Sequence, residues 1–386
     1  MNAVLIEGAD DLASWQEPWD ELARAAGRPF CSPAWMLAWW RQEAPSDARL
    51  RTIVLTDEGG DLIAIAPFFS HRGQGGLTSY RLLASARGTP SEPLARRGRE
   101  LEAARLIVEQ LRGVSPRPDL VRMDGATPAW IDALAGAWAE RGRSAIRVER
   151  SAPAPNLTLS GRTFDEWFGR KSRNFRQQFG RSERGLEAHG FTARIAKSPD
   201  EIERGLVALA SEHLDRWNRR GGSRVWGPGT LSMLREVEQR LRSTDRFRLM
   251  TIGDGREIIS AHLFVAAGGH LSYWLGSFDE RWARYHPGVT ALVAALRDAW
   301  QRGDEIVDFG QGLHPYKLRL ADGQDDLAWV SLIPGGLSGI RTRLRLAPGR
   351  GARALAGRLP TRARRRVRVR LGGAQVSDPT ERRLET

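Results

Sequence analysis

The stretch FRLMTIGDGREIISAHLFVAAGGHLSYWLGS (residues 247–277) decides the fold class of this chain. It contains three runs rich in aliphatic and aromatic residues, at 247–252, 257–267 and 270–277, and such runs favour half-buried strands. The glycine-rich segments between them tolerate the positive φ angles of tight turns. The stretch therefore predicts three antiparallel strands in meander order.

A loop, a helix and a short strand are predicted to follow this meander. Residues 278–286 form a loop with four ring side chains. Apolar residues at helical spacing predict a helix over about 289–302, and Gly303 ends it. The apolar run Glu305–Phe309 then predicts a strand.

The start of that helix is a candidate anion site. Unpaired amide groups and the helix dipole attract anions to a helix N-terminus. Pro287-Gly288 begins the helix, and a glycine there lets a pyrophosphate approach the backbone closely. Arg281 and Arg284 come just before it. An ordinary strand-to-helix connection is the alternative interpretation.

The segment before residue 247 adds a strand and two helices. Residues 191–196 predict a strand, and a capping box at 198–201 starts a helix that is predicted to end near Arg219. A second helix is predicted over 231–242. With a last strand near 329–333, the order is strand, helix, helix, three antiparallel strands, helix, strand, strand.

This order of elements resembles the GNAT acetyltransferase fold. Pro287-Gly288 at the helix start, Asp308-Phe309 in a strand and Tyr316-Lys317 beyond it are similar to motifs of the CelD-like branch. That branch includes proteins of exopolysaccharide and cellulose gene clusters and is related to the Fem-type peptidoglycan transferases. The resemblance covers roughly residues 28–335. It implies an α/β protein with a mixed sheet.

The resemblance also implies a cofactor and its site. In the GNAT fold, acyl-coenzyme A lies between the splayed fourth and fifth strands, with its pyrophosphate on the helix after strand four. It thus implies acetyl-CoA or another acyl-CoA, bound by Leu275, Gly276, Ser277, Arg281, Arg284, His286, Pro287, Gly288 and Val289. The Gln/Arg-x-x-Gly-x-Gly/Ala pattern of the wider family is not spelled out here, which leaves the acyl donor open.

The catalytic groups follow from the same resemblance. A backbone amide near Leu275–Ser277 would polarise the acyl carbonyl. Asp308 or His262 would act as general base, Tyr316 would protonate the leaving thiolate, and Lys317 would hold a carboxylate or phosphate of the substrate. The alternatives are structural: a loop-capping carboxylate for Asp308, a buried core histidine for His262 and simple packing for Tyr316.

A basic segment precedes these elements. A capping box at Thr163 and Glu166 predicts the start of one long helix with an apolar stripe that ends near Leu186. Its early turn, residues 171–174, resembles a recurring basic turn of the family. Candidate substrate contacts there are Lys171, Arg173 and Asn174. A solvated charged face is the alternative.

The positive charge is concentrated at the C-terminus. The chain has a formal net charge of +13, and residues 336–386 carry fourteen arginines and three acidic residues, a net +11. The tail therefore suits an anionic membrane surface or an acidic partner, and disorder with no partner is the alternative. The nearly neutral remainder makes a nucleic-acid partner such as tRNA less expected. No metal-ligand motif occurs, which predicts no metal.

The first half reads as a degraded copy of the second. Residues 51–66 repeat the strand, acidic-glycine turn and strand of 248–261, so tandem GNAT-like halves are predicted. Two unrelated α/β domains are the alternative. The Pro-rich segment 151–156 is interpreted as an extended connector. The predicted divisions are an N-terminal half, a C-terminal acyltransferase domain and a flexible basic tail, over residues 1–155, 156–335 and 336–386.

Three functions remain from the sequence. The first is an acyl-CoA N-acyltransferase that acts on an amino sugar or another cell-envelope or exopolysaccharide precursor. The second is a Fem-type transferase that uses aminoacyl-tRNA, and the third is a non-catalytic scaffold of polysaccharide assembly. A single cysteine, no signal-peptide pattern and no run of about 18 apolar residues predict a cytoplasmic protein, free or peripheral at the inner membrane face.

Overall fold

The computed structural model describes residues 1–85, 89–139, 145–223 and 225–346, apart from the side chain of Gln74. The two halves of the chain build strands and helices in a similar order. Those of the N-terminal half are β1 (Asn2–Ile6), α1 (Gln16–Ala25), α2 (Pro33–Glu43), β2 (Arg49–Thr56), β3 (Leu62–Arg72), β4 (Thr78–Leu82), β5 (Leu94–Ala95), α3 (Glu100–Gly113), β6 (Leu120–Ala126), α4 (Pro128–Ala139) and β7 (Ala145–Thr158).

From residue 191 onward, the C-terminal half follows the order expected from its sequence, except for an additional helix at Pro315–Leu320. Its elements are α5 (Phe164–Gly169), α6 (Arg173–Glu187), β8 (Thr192–Ile195), α7 (Pro199–Asn218), α8 (Thr230–Leu241), β9 (Phe247–Gly253), β10 (Ile258–Ala267), β11 (His270–Phe278), α9 (Pro287–Arg302), β12 (Ile306–Asp308), α10 (Pro315–Leu320) and β13 (Gly323–Ile333). β9, β10 and β11 pair antiparallel in sequence, so the predicted meander is confirmed.

The strands form one 13-stranded mixed sheet. Its order is β1-β2-β3-β4-β6-β13-β7-β12-β11-β10-β9-β8, with β5 beside β3. From the two edges inward, β1, β2, β3, β4 and β6 mirror β8, β9, β10, β11 and β12. At the centre each half inserts its last strand into the other, so β13 lies between β6 and β7. The predicted α/β class with a mixed sheet and the predicted repetition of two similar halves are confirmed.

The interpretation of residues 151–156 as a connector is wrong, because they lie inside β7. This strand pairs with β13 from Ala145 onward and reaches β12 at its end. Pro153 and Pro155 are tolerated because their carbonyls accept the amides of Gly312 and Phe309, at 2.8 and 3.0 Å, on the edge where proline offers no donor. The predicted division at residue 155 thus falls within a paired strand.

One face of the sheet is covered by a core that both halves share. Helices α1, α2, α7 and α8 bury their apolar residues together there, with Trp35 from one half and Leu234 from the other among them. Arg246, the residue before β9, forms an ion pair with Asp20 of α1 at 2.6 Å. On the opposite face the cores are separate, with α3 and α4 over one half and α5, α6 and α9 over the other.

The prediction of one long helix from Thr163 is wrong, because the segment forms two helices, α5 and α6. Thr163 and Glu166 do form the predicted capping box. α5 nevertheless ends at Gly169, and Ser172 caps α6 by accepting a hydrogen bond from the Phe175 amide at 3.2 Å. A second cap inside the run therefore allows the chain to turn between two amphipathic segments.

The start of the tail is ordered against the N-terminal half. Residues 336–346 are helical, Thr342 is fully buried, and Arg341 forms an ion pair with Asp119 at 2.9 Å. The prediction of a flexible tail is therefore wrong for this part, and its remainder, 347–386, lies outside the described residues. None of the helices within the described ranges has the length and apolarity needed to cross a membrane.

Candidate active site

A wedge opens between β11 and β12. The two strands are parallel and pair only where His270–Ser272 faces Ile306–Asp308. Beyond Ser272, β11 continues to Phe278 along β10 alone among the described strands. A β-bulge at Trp274 bends β11 at this point. Residues 275–277, the predicted site of the carbonyl-polarising amide, line the open side.

The N-terminus of α9 lies against the open part of β11. A Cβ atom on Gly288 would lie 3.2 Å from Cδ1 of Phe278 and 3.8 Å from Cε1 of His262. The missing side chain therefore lets the first helical turn approach β10 and β11 closely. The helix begins at Pro287, two residues earlier than its apolar spacing predicts.

The first turn of α9 keeps a free backbone donor. His286 precedes it with a left-handed φ of 48°, and no side chain caps the helix. The carbonyl of His286 accepts the amides of Val289 and Thr290, both at 3.1 Å. Pro287 has no amide hydrogen, and no contact among the described residues uses the amide of Gly288. Free donors at a helix N-terminus suit a phosphate group.

His262 lies under the wedge on β10, opposite Gly276. It is 4% exposed, and neither ring nitrogen has a hydrogen-bond partner within the described part of the chain. Burial, helped by Arg216, lowers the pKa of His262 to about 3. An imidazole with that pKa is neutral and a poor proton acceptor at neutral pH. The lowered pKa therefore argues against His262 as the base, and Asp308 stays the predicted one.

Glycine is required at position 276 by the side chains beneath it. A Cβ atom there would lie 2.1 Å from Nδ1 of His262 and 2.4 Å from the hydroxyl of Tyr273. The rings of these two residues stack at 5.8 Å. Glycine is therefore needed at position 276 because the side chains of His262 and Tyr273 occupy the space of a Cβ atom, and not because the backbone must be flexible there.

Tyr273 brings the predicted acid Tyr316 into the site. Their phenols share a hydrogen bond, and burial, followed by Tyr316, raises the pKa of Tyr273 well above its usual value. Tyr273 is therefore protonated at neutral pH, and its hydroxyl can donate a hydrogen bond to that of Tyr316. Sequence reasoning missed Tyr273, whose only signal was its place in the strand just before Gly276.

Asp308 ends β12 at the mouth of the wedge. Burial raises its pKa, against smaller opposing effects of the Gly310 amide, Arg28 and Lys317. A carboxylate with a raised pKa is better matched to accepting a proton near neutral pH. Its Oδ1 also accepts the Gly310 amide at 2.8 Å, so the loop-capping alternative is present in the same side chain.

Lys317 stabilises the loop that Asp308 begins. It is 6% exposed, and its Nζ donates to the carbonyls of Gly310 and Gln311 at 3.2 and 2.8 Å. These bonds place the ammonium beside the Asp308 loop. Its contact with a substrate carboxylate or phosphate stays a prediction.

The two arginines predicted to hold the pyrophosphate have other partners. Arg281 donates from Nε to Asp279 and from a terminal nitrogen to Glu257, both at 2.7 Å. The guanidinium of Arg284 lies 4.7 Å from the centre of the Tyr285 ring. The charge of Arg281 is therefore balanced by two carboxylates before any ligand is bound.

Arg216, on the last turn of α7, supplies a cation beside the wedge. Its guanidinium lies 4.3 Å from the centre of the Phe278 ring, and its charge lowers the pKa of His262. Its Nε is buried without a hydrogen bond among the described residues, although Glu280 lies 3.5 Å away. Sequence reasoning missed Arg216 because only the packing of α7 against β11 places it there.

The predicted substrate contacts on the basic segment separate into two groups. Nζ of Lys171 donates to the carbonyls of Arg319 and Leu320 at 2.7 and 3.2 Å, so it connects the start of α6 with α10. Arg173 and Asn174 are exposed at the start of α6. Their contact with a substrate stays a prediction.

The corresponding wedge of the N-terminal half is closed. Arg81 of β4 donates to Asp124 of β6 at 2.9 and 3.0 Å. The amide of Ser91 donates to the Asp124 carbonyl at 3.0 Å, and Glu92 accepts both the amide and the hydroxyl of Thr127. The chain itself therefore fills the position that is open between β11 and β12.

Other reactive groups do not extend the site. Cys31 is buried, and burial raises the pKa of its thiol to about 12, so the reactive thiolate is scarce at neutral pH. In the part of the chain that the structure describes, no three His, Cys, Asp or Glu side chains are placed to hold a metal ion. The wedge is therefore where the residues predicted as acid, base and anion-binding groups lie together.

A family model matches the part of the chain that contains this wedge. Residues 173–318 match the family described as Acetyltransferase (GNAT) domain. The match runs from α6 to α10 and so includes Asp308, Tyr316 and the start of α9. No curated protein sequence matches the chain.

Solved structures share the fold across both halves. FemX aligns with a TM-score of 0.58 at 10% identity, over 89% of this chain and 99% of that one. The C-terminal domain of a putative lysylphosphatidylglycerol synthetase from Agrobacterium fabrum gives 0.55 at 11%, over 86% and 95%. L-PGS from Bacillus licheniformis gives 0.52 at 12%, over 86% and 96%. These structures share the fold of both halves, and within it residues 173–318 are the part of this chain that matches the GNAT acetyltransferase domain model.

Proposed function

We propose that the chain is an N-acyltransferase that moves an acetyl or other acyl group from acyl-CoA to an amine. The acceptor is an amino sugar or another cell-envelope or exopolysaccharide precursor, as expected for the CelD-like branch. The wedge between β11 and β12, with the free N-terminus of α9 at its side, is the observation that carries the proposal.

The residues at the wedge fit an acyl-CoA. Gly288 keeps the helix start free of a side chain, its amide has no partner among the described residues, and Arg216 adds a guanidinium whose Nε has none there either. These groups would hold the diphosphate. The unpaired edge of β11 beyond Ser272 would hold the extended pantetheine by backbone hydrogen bonds. Once bound, acyl-CoA supplies an activated acyl carbonyl.

Different residues of the chain then polarise the carbonyl and carry out the two proton transfers. A β11 amide near Leu275–Ser277 polarises the carbonyl oxygen. Asp308 accepts the proton that the amine loses as its nitrogen bonds to the acyl carbon. Tyr316, hydrogen-bonded to Tyr273, returns a proton to the sulfur as the carbon–sulfur bond breaks. The neutral His262 contributes polar surface beneath the reacting atoms.

Arg216→Gln is expected to weaken acetyl-CoA binding by about tenfold or more, because a hydrogen bond to a charged group contributes ~1.5–3 kcal/mol. Isothermal titration measures the dissociation constants for acetyl-CoA and for acetyl-pantetheine, which lacks the diphosphate. The affinity for acetyl-pantetheine should not change.

Arg281→Gln is the comparison, since Arg281 is exposed and paired with two carboxylates, Asp279 and Glu257, whereas Arg216 has only Glu280 at 3.5 Å among the described residues. Its effect on acetyl-CoA binding should be the smaller of the two. An equal or larger effect would assign the diphosphate to Arg281, as the sequence suggested. If the unaltered protein binds neither acetyl-CoA nor longer acyl-CoAs, the proposed function itself fails.

One observation favours the Fem-type alternative, in which aminoacyl-tRNA is the donor. Four exposed arginines lie along α6, which packs against α9: Arg173, Arg176, Arg181 and Arg184. Such a basic surface suits an RNA backbone. Aminoacyl transfer by a chain that ends at residue 346, without acyl-CoA binding, would establish this alternative. Absence of both activities would leave the scaffold function.

A further inference from the structure

The helix formed by residues 336–346 exposes an apolar stripe. Leu337, Ile340 and Leu344 are 86%, 52% and 68% exposed. Their spacing of three and four residues places all three on one side of the helix. Thr342, on the opposite side, is fully buried against the protein. The helix therefore turns its apolar side chains away from the core.

The body of the protein holds this helix in place. Arg341 forms an ion pair with Asp119 at 2.9 Å, and Arg345 donates to the Gly75 carbonyl at 3.5 Å. Both partners belong to the N-terminal half. Because the helix is attached through its other side, the stripe is presented outward on a defined surface.

Arginines flank the stripe on both sides. At about 100° per residue, Arg341 and Arg345 lie on one side of it and Arg343 lies on the other. Residues 347–386 add eleven further arginines and three acidic residues. The rest of the chain is nearly neutral, with 45 basic and 43 acidic side chains before residue 336. The positive charge is therefore concentrated in the same C-terminal part of the sequence as the apolar stripe.

We propose that the stripe and its arginines dock the protein on a membrane surface rich in anionic lipid. A helix with apolar residues on one side and basic residues beside them lies in the interface, with the apolar residues among the acyl chains and the charges at the headgroups. Each arginine near an anionic surface adds to the attraction. This docking does not depend on the proposed acyltransferase activity.

Co-sedimentation with vesicles tests the docking. The full chain is expected to bind vesicles of phosphatidylglycerol and phosphatidylcholine more tightly than vesicles of phosphatidylcholine alone. The triple variant Leu337→Glu, Ile340→Glu, Leu344→Glu should weaken binding to the anionic vesicles by about tenfold or more, since it removes the apolar contact and adds repulsion. Leu101→Glu is the control, because Leu101 of α3 is 68% exposed, the same fraction as Leu344.

A chain that ends at residue 346 separates the stripe from the distal arginines. It should still prefer anionic vesicles, and the triple substitution should still weaken its binding. Equal binding of the triple variant and the unaltered chain would assign attachment to the arginines alone and overturn the proposal. No preference for phosphatidylglycerol, or an equal loss in Leu101→Glu, would overturn it too. The thermal unfolding midpoint of each variant verifies that the fold is kept.

Discussion

Asp308→Asn is expected to lower the rate of acyl transfer by about 10²–10⁴-fold, the range typical for loss of a general base. The carboxylate sits at the mouth of the wedge, and burial raises its pKa. Asparagine keeps the carbonyl oxygen that accepts the Gly310 amide but cannot accept the amine proton. The measurement is kcat/KM for acetyl-CoA with an amino-sugar acceptor.

The pH dependence distinguishes a base from a structural carboxylate. Activity of the unaltered enzyme should fall as pH is lowered through the raised pKa of Asp308, because the protonated form cannot act as base. Asp308→Asn should lose that dependence. Asp326→Asn, which changes an exposed carboxylate on β13, should keep both the rate and the pH profile.

The raised pKa of Asp308 also predicts the direction in which Asp308→Asn changes the stability of the protein. Because the folded-state pKa of Asp308 is raised, its effect on stability is most favourable at low pH and becomes less favourable as pH rises toward and through that pKa. Asp308→Asn should therefore be as stable as the unaltered protein, or more so, at neutral pH. A lower unfolding midpoint with a proportionate loss of rate would instead assign Asp308 to capping the loop.

Gly268→Ala is expected to destabilise the whole protein by about 3 kcal/mol or more, among the largest effects of single substitutions. Gly268 has a left-handed φ of 54°, and a Cβ atom there would lie 1.8 Å from the carbonyl oxygen of Arg24. That oxygen belongs to α1 of the other half, and the helix would have to move away from the shared core. Urea denaturation followed by circular dichroism measures the loss.

Gly255→Ala is the matched control for this substitution. Gly255 also lies in a hairpin turn with a positive φ, of 92°, but nothing lies within 4 Å of a Cβ atom there. It should show only the cost of the backbone conformation, about 1–3 kcal/mol. Similar losses at both positions would contradict a close contact between the halves at Gly268.

The shared core also predicts how the protein unfolds. α2 and α8 come from different halves and pack so closely that a Cβ atom on Gly229 would lie 2.0 Å from the Gln42 carbonyl oxygen. In Gly268→Ala both halves should therefore lose structure in one transition. Two separate transitions, with the N-terminal half intact after the first, would show that the halves are independent.

Local patterns predicted much of the C-terminal half correctly. The meander, the capping boxes at Thr163 and Ser198, and the helix that follows Pro287 depend on neighbouring residues, so their signals are present in the sequence. Residues 151–156 were misread because proline usually marks a connector. Only the tertiary structure pairs β7 with β13 and places the amides of the loop after β12 where the carbonyls of Pro153 and Pro155 accept their hydrogen bonds.

The candidate site divides in the same way. Gly276, Gly288 and Asp308 lie at ends of predicted strands and helices, Tyr316 lies shortly after one, and the structure brings all four to one wedge. Tyr273 and Arg216 could not be recognised, because their roles arise where β11 meets β10 and α7. Arg281 shows the reverse, since its position before α9 and its ion pair with Asp279 are local, but its ion pair with Glu257 depends on the turn between β9 and β10.

The sequence by itself determined the order of strands and helices, the repetition of the two halves and the basic character of the C-terminus, because these depend on periodicity, turn residues and composition. Only the tertiary structure decided which wedge is open, that β7 and β13 exchange places, and that the 336–346 helix presents its apolar stripe outward. The physical reason is that these features depend on contacts between residues far apart in the chain, whose energies no local pattern encodes.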